Sequence, residues 1–481
     1  MAANYLHGVE TLKTRDGNRP VRLVKSAVTG AVCTAPTGPT NMLVPILSER
    51  AAAQFGGRVA GFSAGYTLDA NFSAGMPTSG VVMMVNVCDP ARHRSAVNDV
   101  PVAFDPVKLT AQLPNVAIQA DTLVVKAGAT EYTRGADYTL APLTGVLTRV
   151  PGGAIPANAS GLTASYIYTD PTQVTAADVI GAVDAAGRRS GMQLFLDAYA
   201  QYGYFPKRLV CPGFSSAASV SAEMISIANR IRARAYIDAP IGITPMQAIS
   251  GRGPMGSINF NTSAARAVLC YPHVQVYDTA TNSNVLEPLS VHRAALGNAV
   301  DIEYGYWYSP SNFELTSVLG LERLISAAPN DPNSEANALN EVGICTVLNS
   351  FGTGFRAWGN RTAAWPSDTY PDNFEAVLTV GDIIDESIEY FTLQFLDRPG
   401  TPAWIDAVCE SVNAFLRKLR ADGALIDGRC WFDAADNSPE EMANGHYVFR
   451  RDYMPPTPAE RVTHKTQLNI NYLKALYARA A

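Results

Sequence analysis

The sequence predicts a mixed α/β fold, an α+β core into which a small β-sandwich is inserted and from which extended arms leave at both ends. Three observations carry that expectation. From about Thr175 onward, strand-like apolar runs alternate with helical patterns, which implies a largely parallel sheet covered on both faces. Between Asp89 and Asp170 the text changes to short alternating pieces cut by Gly, Asn and Pro turns. Residues 1–20 carry little apolar periodicity and close on the turn Asp16-Gly17-Asn18-Arg19-Pro20. At 481 residues, more than one core is expected. The boundaries follow: an arm over 1–20, an α/β core over 21–88 and 171–340, an inserted β domain over 89–170, a second α/β part over 341–460, and a C-terminal linking strand or arm over 461–481.

Taken in order, Val21–Cys33 alternates loosely and reads as the first core strand. Gly80–Val87 is continuously apolar, as a strand buried on both faces must be. Within the insertion, Leu162, Ala164, Tyr166 and Tyr168 share one strand face, and Glu131–Thr139 reads as a hairpin. Thr175-Ala176-Ala177-Asp178 resembles a helix start with Asp in the place of the usual Glu, and predicts a helical stretch to about Tyr202. Strands are expected at Arg208–Cys211, Tyr236–Ala239, Ala267–Cys270 and Val274–Tyr277, and helices at Ser221–Arg234 and Pro288–Val300. Asp382–Leu396 places Ile384, Ile388, Phe391 and Phe395 on one helical face. Thr401 as N-cap, Pro402 as first residue and Gly423 as stop frame a second long helix with a Trp404-to-Leu419 apolar stripe. His446–Tyr453 and Arg461–Tyr472 read as closing strands, the latter with Val462, Leu468, Ile470 and Tyr472 on its apolar face.

Bulk properties narrow the function. Charged residues make up 17% of the chain, below the usual quarter, so surface is expected to be hidden in an assembly. The net charge of −6 and the absence of a Lys/Arg tract speak against nucleic acid. No apolar run is long enough to span a bilayer, and the first residues lack the parts of a signal peptide. Seven cysteines at 33, 88, 211, 270, 345, 409 and 430 form no Cys-x-x-Cys pair; they read as small hydrophobes of a chain folded in a reducing cytoplasm.

The motifs of chemistry are decoys. Gly61-Phe62-Ser63-Ala64-Gly65 has the letters of a nucleophile elbow, but Arg58-Val59-Ala60 is a short lead-in and Tyr66–Asn71 a poor helix, so a loop is the better reading. Gly251-Arg252-Gly253-Pro254-Met255-Gly256 matches a dinucleotide fingerprint without the strand or the helix that such a turn joins. The six histidines have no metal-ligand spacing. Asp385/Glu386 and Glu440/Glu441 read as solvated helix faces. Arg417, Lys418 and Arg420 read as a cluster complementing a helix C-terminus, with docking as the alternative.

One stretch is far less ordinary. After the apolar run Gly343–Leu348 comes Gly354-Phe355-Arg356-Ala357-Trp358-Gly359-Asn360-Arg361-Thr362, glycines for tight turns, aromatics for an anchor and arginines to one side. This string resembles the Gly-aromatic-Arg-x-Trp-Gly-x-Arg-Thr signature of contractile tail sheath proteins. His7-Gly8-Val9-Glu10 leading to Thr29–Pro36 is similar to that family's start. Gly305-Tyr306-Trp307-Tyr308-Ser309-Pro310-Ser311-Asn312 is similar to its Gly-x-Trp segment, and Pro455 through Glu460, with Pro458, to its ending. The four lie in the family's order and cover the core from end to end.

The resemblance implies a core that is subtilisin-like in shape without a catalytic triad, and no cofactor, metal or enzymatic activity. It implies subunits stacked as hexameric rings into a helical tube around an inner tail tube, with baseplate and tail terminator proteins as further partners, and neither nucleic-acid binding nor membrane insertion. It implies arms that add strands to neighbouring subunits, placing Tyr5, Leu6, Val9 and Leu12 at one end and Val462, Leu468, Ile470 and Tyr472 at the other in inter-subunit links. Arg417, Lys418 and Arg420 are then expected to face the tube. The expected location is the virion tail, after assembly in the host cytoplasm. The alternatives are a serine hydrolase built on Ser63 and an envelope-binding module built on the insertion.

Overall fold

The computed structural model describes residues 23–72, 80–156, 159–254, 256, 258–328, 330–349, 352 and 354–475. Its centre is an eight-stranded sheet made of β1 (Val28–Cys33), β2 (Leu43–Ile46), β3 (Val81–Asn86), β4 (Arg208–Val210), β5 (Arg234–Asp238), β6 (Ala267–Cys270), β7 (Ile344–Leu348) and β8 (Arg356–Trp358). The spatial order is β8-β7-β6-β5-β4-β1-β3-β2. The six inner strands are parallel, and β2 and β8 close the two edges antiparallel. Every residue of β1, β4, β5, β6 and β7 is buried, which is why these runs show no polar alternation. Mid-strand Gly30 leaves room for its neighbours: a Cβ there would lie 2.9 Å from Leu209 and 3.0 Å from Phe195.

Helices cover both faces. On one, Ala218–Ile231 buries Met224, Ile227 and Ile231 against β4–β6. On the other, Leu289–Glu303 packs with Ala64–Phe72 over the opposite side chains of the same strands. A third apolar cluster joins the helices Glu375–Thr392 and Pro402–Asp422 to the antiparallel pair Asp427–Phe432 and Phe449–Met454. The second of these helices starts and stops as expected: the Thr401 hydroxyl accepts from the Trp404 N–H at 3.3 Å, Pro402 opens the first turn, and Gly423 sits at φ +87°.

Residues 94–169 build a four-stranded sheet (Arg94–Val102, Leu162–Thr169, Val124–Ala127, Thr130–Tyr132) and a three-stranded one (Thr110–Gln112, Val146–Arg149, Tyr138–Ala141). The two share one cluster of buried side chains, Val125, Tyr138, Leu147, Leu162 and Tyr166 among them.

Several expectations are corrected. The predicted hairpin over Glu131–Thr139 is split between the two sheets, because the Asp137 carboxylate accepts from both Thr133 N and Ala154 N at 2.7 Å and turns the chain between them. The helical stretch from Thr175 is only Ala176–Ile180. Asp178 does accept from the Thr175 N–H and hydroxyl, but Gly181 then breaks the helix, and Ser190 returns beside it before a 3₁₀ turn leads to Ala198–Tyr202. Val274–Asp278 is not part of the parallel sheet; it pairs antiparallel with Ser283–Glu287 and Val318–Leu321. The helix expected to begin at Asp382 begins at Glu375. Arg461–Tyr472 is no strand in the single chain: it runs without regular structure to a 3₁₀ turn at Ile470–Leu473.

Candidate interaction surfaces and the charged seam

Part of the polar interior of the molecule lies along a seam. Parallel strands start at the same edge of their sheet, and here they start with cations: Lys207 and Arg208 at β4, Arg234 at β5, Arg266 just before β6. Arg208 and Arg234 are register partners on adjacent strands, so like charges stand side by side in the interior. The counter-charges come from two helices. Asp301 holds Arg208 through two bonds of 2.9 and 3.0 Å. From the Glu375–Thr392 helix, Asp382 holds Arg266 through two bonds of 2.6 Å, Glu386 takes Lys207, and Glu389 takes Arg232 nearer the surface. Glu375 accepts from Arg293 at 2.9 Å and from the Tyr236 hydroxyl. The guanidinium of Arg234, fully buried, makes no hydrogen bond among the described residues and stands 4.0 and 3.8 Å from Glu375 and Asp382. Burial alone would raise the Glu375 carboxyl; Arg293, Arg234 and Arg208 with the Tyr236 hydroxyl outweigh it and hold it below the usual range.

A second cluster is built from the quoted motifs. β8 is stitched to β7 on one side, and on the other Asn312 N donates to Ala357 O, and Ala357 N to Phe313 O at 3.0 Å. The Ser311 hydroxyl accepts from Gly359 N, and Arg293 donates to Gly359 O at 2.7 Å. Gly359 needs its φ of +118°, and a Cβ there would lie 2.5 Å from Asn340 Oδ1; Gly354, at +87°, would meet Glu314 as closely. Arg356 reaches the Asn312 carbonyl, and Trp358 sits half-buried beside it. Arg361 lies over the rings of Phe374 and Trp365, at 3.8 and 4.1 Å, and its Nε donates to Glu460 at 3.1 Å. Segments 305–312, 354–362 and 455–460 thus converge. Pro455 is buried, Pro458 half-buried, and from Arg461 to Lys474 every residue is exposed, Leu468 by 92%.

Comparison with known proteins turns this convergence into a family. A model of the phage tail sheath protein central domain matches residues 172–363. The chain is 51% identical to the tail sheath protein of Burkholderia phage BcepMu over 478 residues, 99% of each chain. The chain belongs to the tail sheath protein family. Two solved structures share the fold of this sheath protein at 14% identity, each covering 97% of this chain and 100% of the other. One is the helical sheath of the anti-feeding prophage in its contracted state, with a TM-score of 0.60; the other is a chain of that prophage's baseplate, with a TM-score of 0.56. The sheath protein is a structural subunit of a contractile tail.

The remaining predicted residues fall as follows. Tyr5, Leu6, Val9 and Leu12 lie outside the described residues. Val462, Leu468, Ile470 and Tyr472 are all exposed, without the strand expected of them. Arg417, Lys418 and Arg420 are exposed on the Pro402–Asp422 helix, with Arg417 on Glu410 and Arg420 on Asp427. A helix does leave Ser63, contrary to expectation, yet Ser63 is buried: its hydroxyl accepts from Thr34 N and its N–H donates to the Thr34 hydroxyl, both at 3.0 Å. The glycine-rich 251–256 stretch follows a helix rather than a strand, and Arg252 spends its guanidinium on the carbonyls of Phe260, Thr262, Val342, Ala363 and Trp365. Asp385 meets Arg451 at 3.2 Å, and Glu386 is a buried member of the seam rather than a solvated residue. The sequence reading missed the seam altogether. A signal existed in the acids at 375, 382, 386 and 389, which share one face of a helix.

Glu386→Gln leaves Lys207 buried without a counter-charge, and urea unfolding should show a loss of about 3–5 kcal/mol. The double replacement Lys207→Met with Glu386→Leu should recover most of it; no recovery would mean that geometry, not charge, sets the cost. Because the folded value of Glu375 is depressed, its contribution is present above the ordinary carboxylate range and fades as pH falls through the folded value.

Proposed function

We propose that the protein polymerises as stacked hexameric rings, forming a helical sheath around an inner tail tube, and that contraction of this sheath drives the tube through the target cell envelope for genome delivery. The observation that carries the reading is the tail beyond Glu460. Its Val462, Leu468, Ile470 and Tyr472 alternate as strand residues do, yet they are exposed in the single chain. An alternating segment with no partner of its own is suited to completing a neighbour's sheet. The two-stranded sheet Asp427–Phe432 with Phe449–Met454 has no third strand among the described residues; Asn413 occupies the backbone of Cys430 on one edge, which leaves the Phe449–Met454 edge as the better acceptor. Residues 1–20, about 66 Å long when extended at roughly 3.3 Å per residue, have the reach for the same task, with Tyr5, Leu6, Val9 and Leu12 as their apolar contacts. Links made of backbone hydrogen bonds let bodies rotate and slide without separating. We read the body, 21–88 with 171–340 and 341–460, as subtilisin-like in shape and without catalytic function, and place the protein in the virion tail after assembly in the host cytoplasm. Baseplate and tail terminator proteins would cap the two ends of the tube.

The exposed Arg417, Lys418 and Arg420 are read as facing the inner tube. One assay addresses both claims, imaging of particles assembled with the inner tube protein at rising salt. Chains lacking 1–20 or 461–481 should stay folded, with near-unchanged helix content by circular dichroism, and form no tubes. The triple Gln variant should form tubes that lose their inner tube at lower salt than the parent. Regular contractile sheaths from a chain without either arm would end the arm reading, and normal salt tolerance of the triple variant would return those residues to a solvated helix end.

Residues 89–170 are read as an inserted β-sandwich domain on the outer surface, since their two sheets share a core of their own. Their excision should leave a soluble remainder with cooperative thermal unfolding; a molten remainder would make the insertion part of the core.

A further inference from the structure

Arg234, at the start of β5, is the one cation of the seam that the seam does not neutralise among the described residues. Its four carboxylates each hold another cation: Asp301 holds Arg208, Glu375 holds Arg293, Asp382 holds Arg266 and Glu386 holds Lys207. The next acids along the Glu375–Thr392 helix are engaged as well, Asp385 by Arg451 and Glu389 by Arg232. One positive charge is left over. It sits on the side chain whose three guanidinium nitrogens all lack an acceptor among the described residues.

A guanidinium keeps its proton throughout the pH range in which proteins fold, so Arg234 cannot become neutral. Buried polar groups are almost always bonded, and a buried charge with neither partner nor solvent is strongly destabilising. The shortage of acceptors extends to its neighbours. Arg208 Nε and Arg293 Nε and Nη1 are also without one among the described residues, and both side chains are buried. Arg208 is the register partner of Arg234, and Arg234 lies two residues before Tyr236 on its strand. All three arginines therefore meet on the face of the sheet that the Leu289–Glu303 helix covers, the helix from which Arg293 comes.

We propose that Arg234, Arg208 and Arg293 form a binding site for one small monovalent anion, of the chloride class, inside the folded subunit. A water molecule would supply an acceptor but leave the surplus charge standing; a halide answers both needs. Arg234 stands 4.0 and 3.8 Å from Glu375 and Asp382, which crowds its guanidinium and favours a single atom over a phosphate. Those two carboxylates repel the ion little, because Arg293 and Arg266 already neutralise them. The ion is taken up as the chain folds, and serves as the fifth counter-charge of the seam. Nothing in this inference depends on how subunits polymerise.

The test compares thermal unfolding of the full chain in sodium chloride and in sodium gluconate at one ionic strength, so that screening is held constant. The parent should melt several degrees higher in chloride, and the gain should grow with the logarithm of chloride concentration, as binding to the folded state alone requires. Arg234→Met removes the surplus charge and should melt at the same temperature in both salts. Should that variant fail to fold, the parent decides: crystals grown in sodium bromide should show an anomalous bromine peak within hydrogen-bond reach of the Arg234 guanidinium. Equal melting of the parent in both salts, a Met variant as chloride-sensitive as the parent, or water beside Arg234 with no bromine signal would each overturn the proposal.

Discussion

The pairing of a row of cations at the strand starts with carboxylates from two helices is the constraint on which the rest of this molecule depends. Lys207, Arg208, Arg234 and Arg266 stand at the starts of neighbouring parallel strands, where each repels the next in a medium that screens poorly. Without Asp301, Glu375, Asp382 and Glu386 they could not stay charged and inside. Such a seam adds little net stability compared with an apolar one, but it admits few alternatives: shifting the Glu375–Thr392 helix by a turn would leave cations and carboxylates buried and unmatched. It therefore sets where the C-terminal part sits on the sheet.

What sits there follows from that placement. The Glu375–Thr392 helix carries the apolar face on which the Pro402–Asp422 helix and the two-stranded sheet pack. That sheet leads through Pro455 to Glu460, which Arg361 holds beside Phe374 at the start of the same helix. The chain is thus tied down as far as Glu460 and released immediately afterwards. A rigid body with a fixed departure point for an exposed tail is what the proposed polymer of sliding subunits would require, since the direction in which the tail leaves would determine which neighbour it could reach.

Much of this architecture was legible in the residues, and the failures have physical reasons. Thr401-Pro402 and Gly423 bracket their helix because caps are local chemistry, and β1 and β3 show as apolar runs because both their faces are covered. The Glu375 start was hidden because the first turns of that helix bury Glu375, Thr379 and Asp382 along with Ala376, Val377 and Val380, which blurs the apolar stripe. The run from Thr175 was misjudged because a return at Ser190, ten residues beyond the helix, packs its carbonyl against Gly181, where no side chain would fit. Arg461–Tyr472 has a real alternation, but a strand exists only where a partner supplies the other half of the ladder. The seam escaped notice because its cations lie far apart in sequence and come together only through the parallel register, whereas the motifs around Arg361 were readable as a resemblance and proved to converge.

The most direct measurement is hydrogen exchange read by mass spectrometry on the protein in two states, dispersed and assembled into tubes. The account predicts that backbone amides of 461–472 are unprotected in the dispersed protein and become protected in tubes, while β4 and β5 above the seam are equally protected in both. Tail amides that remain unprotected in tubes, or a central sheet that loses protection on assembly, would contradict it.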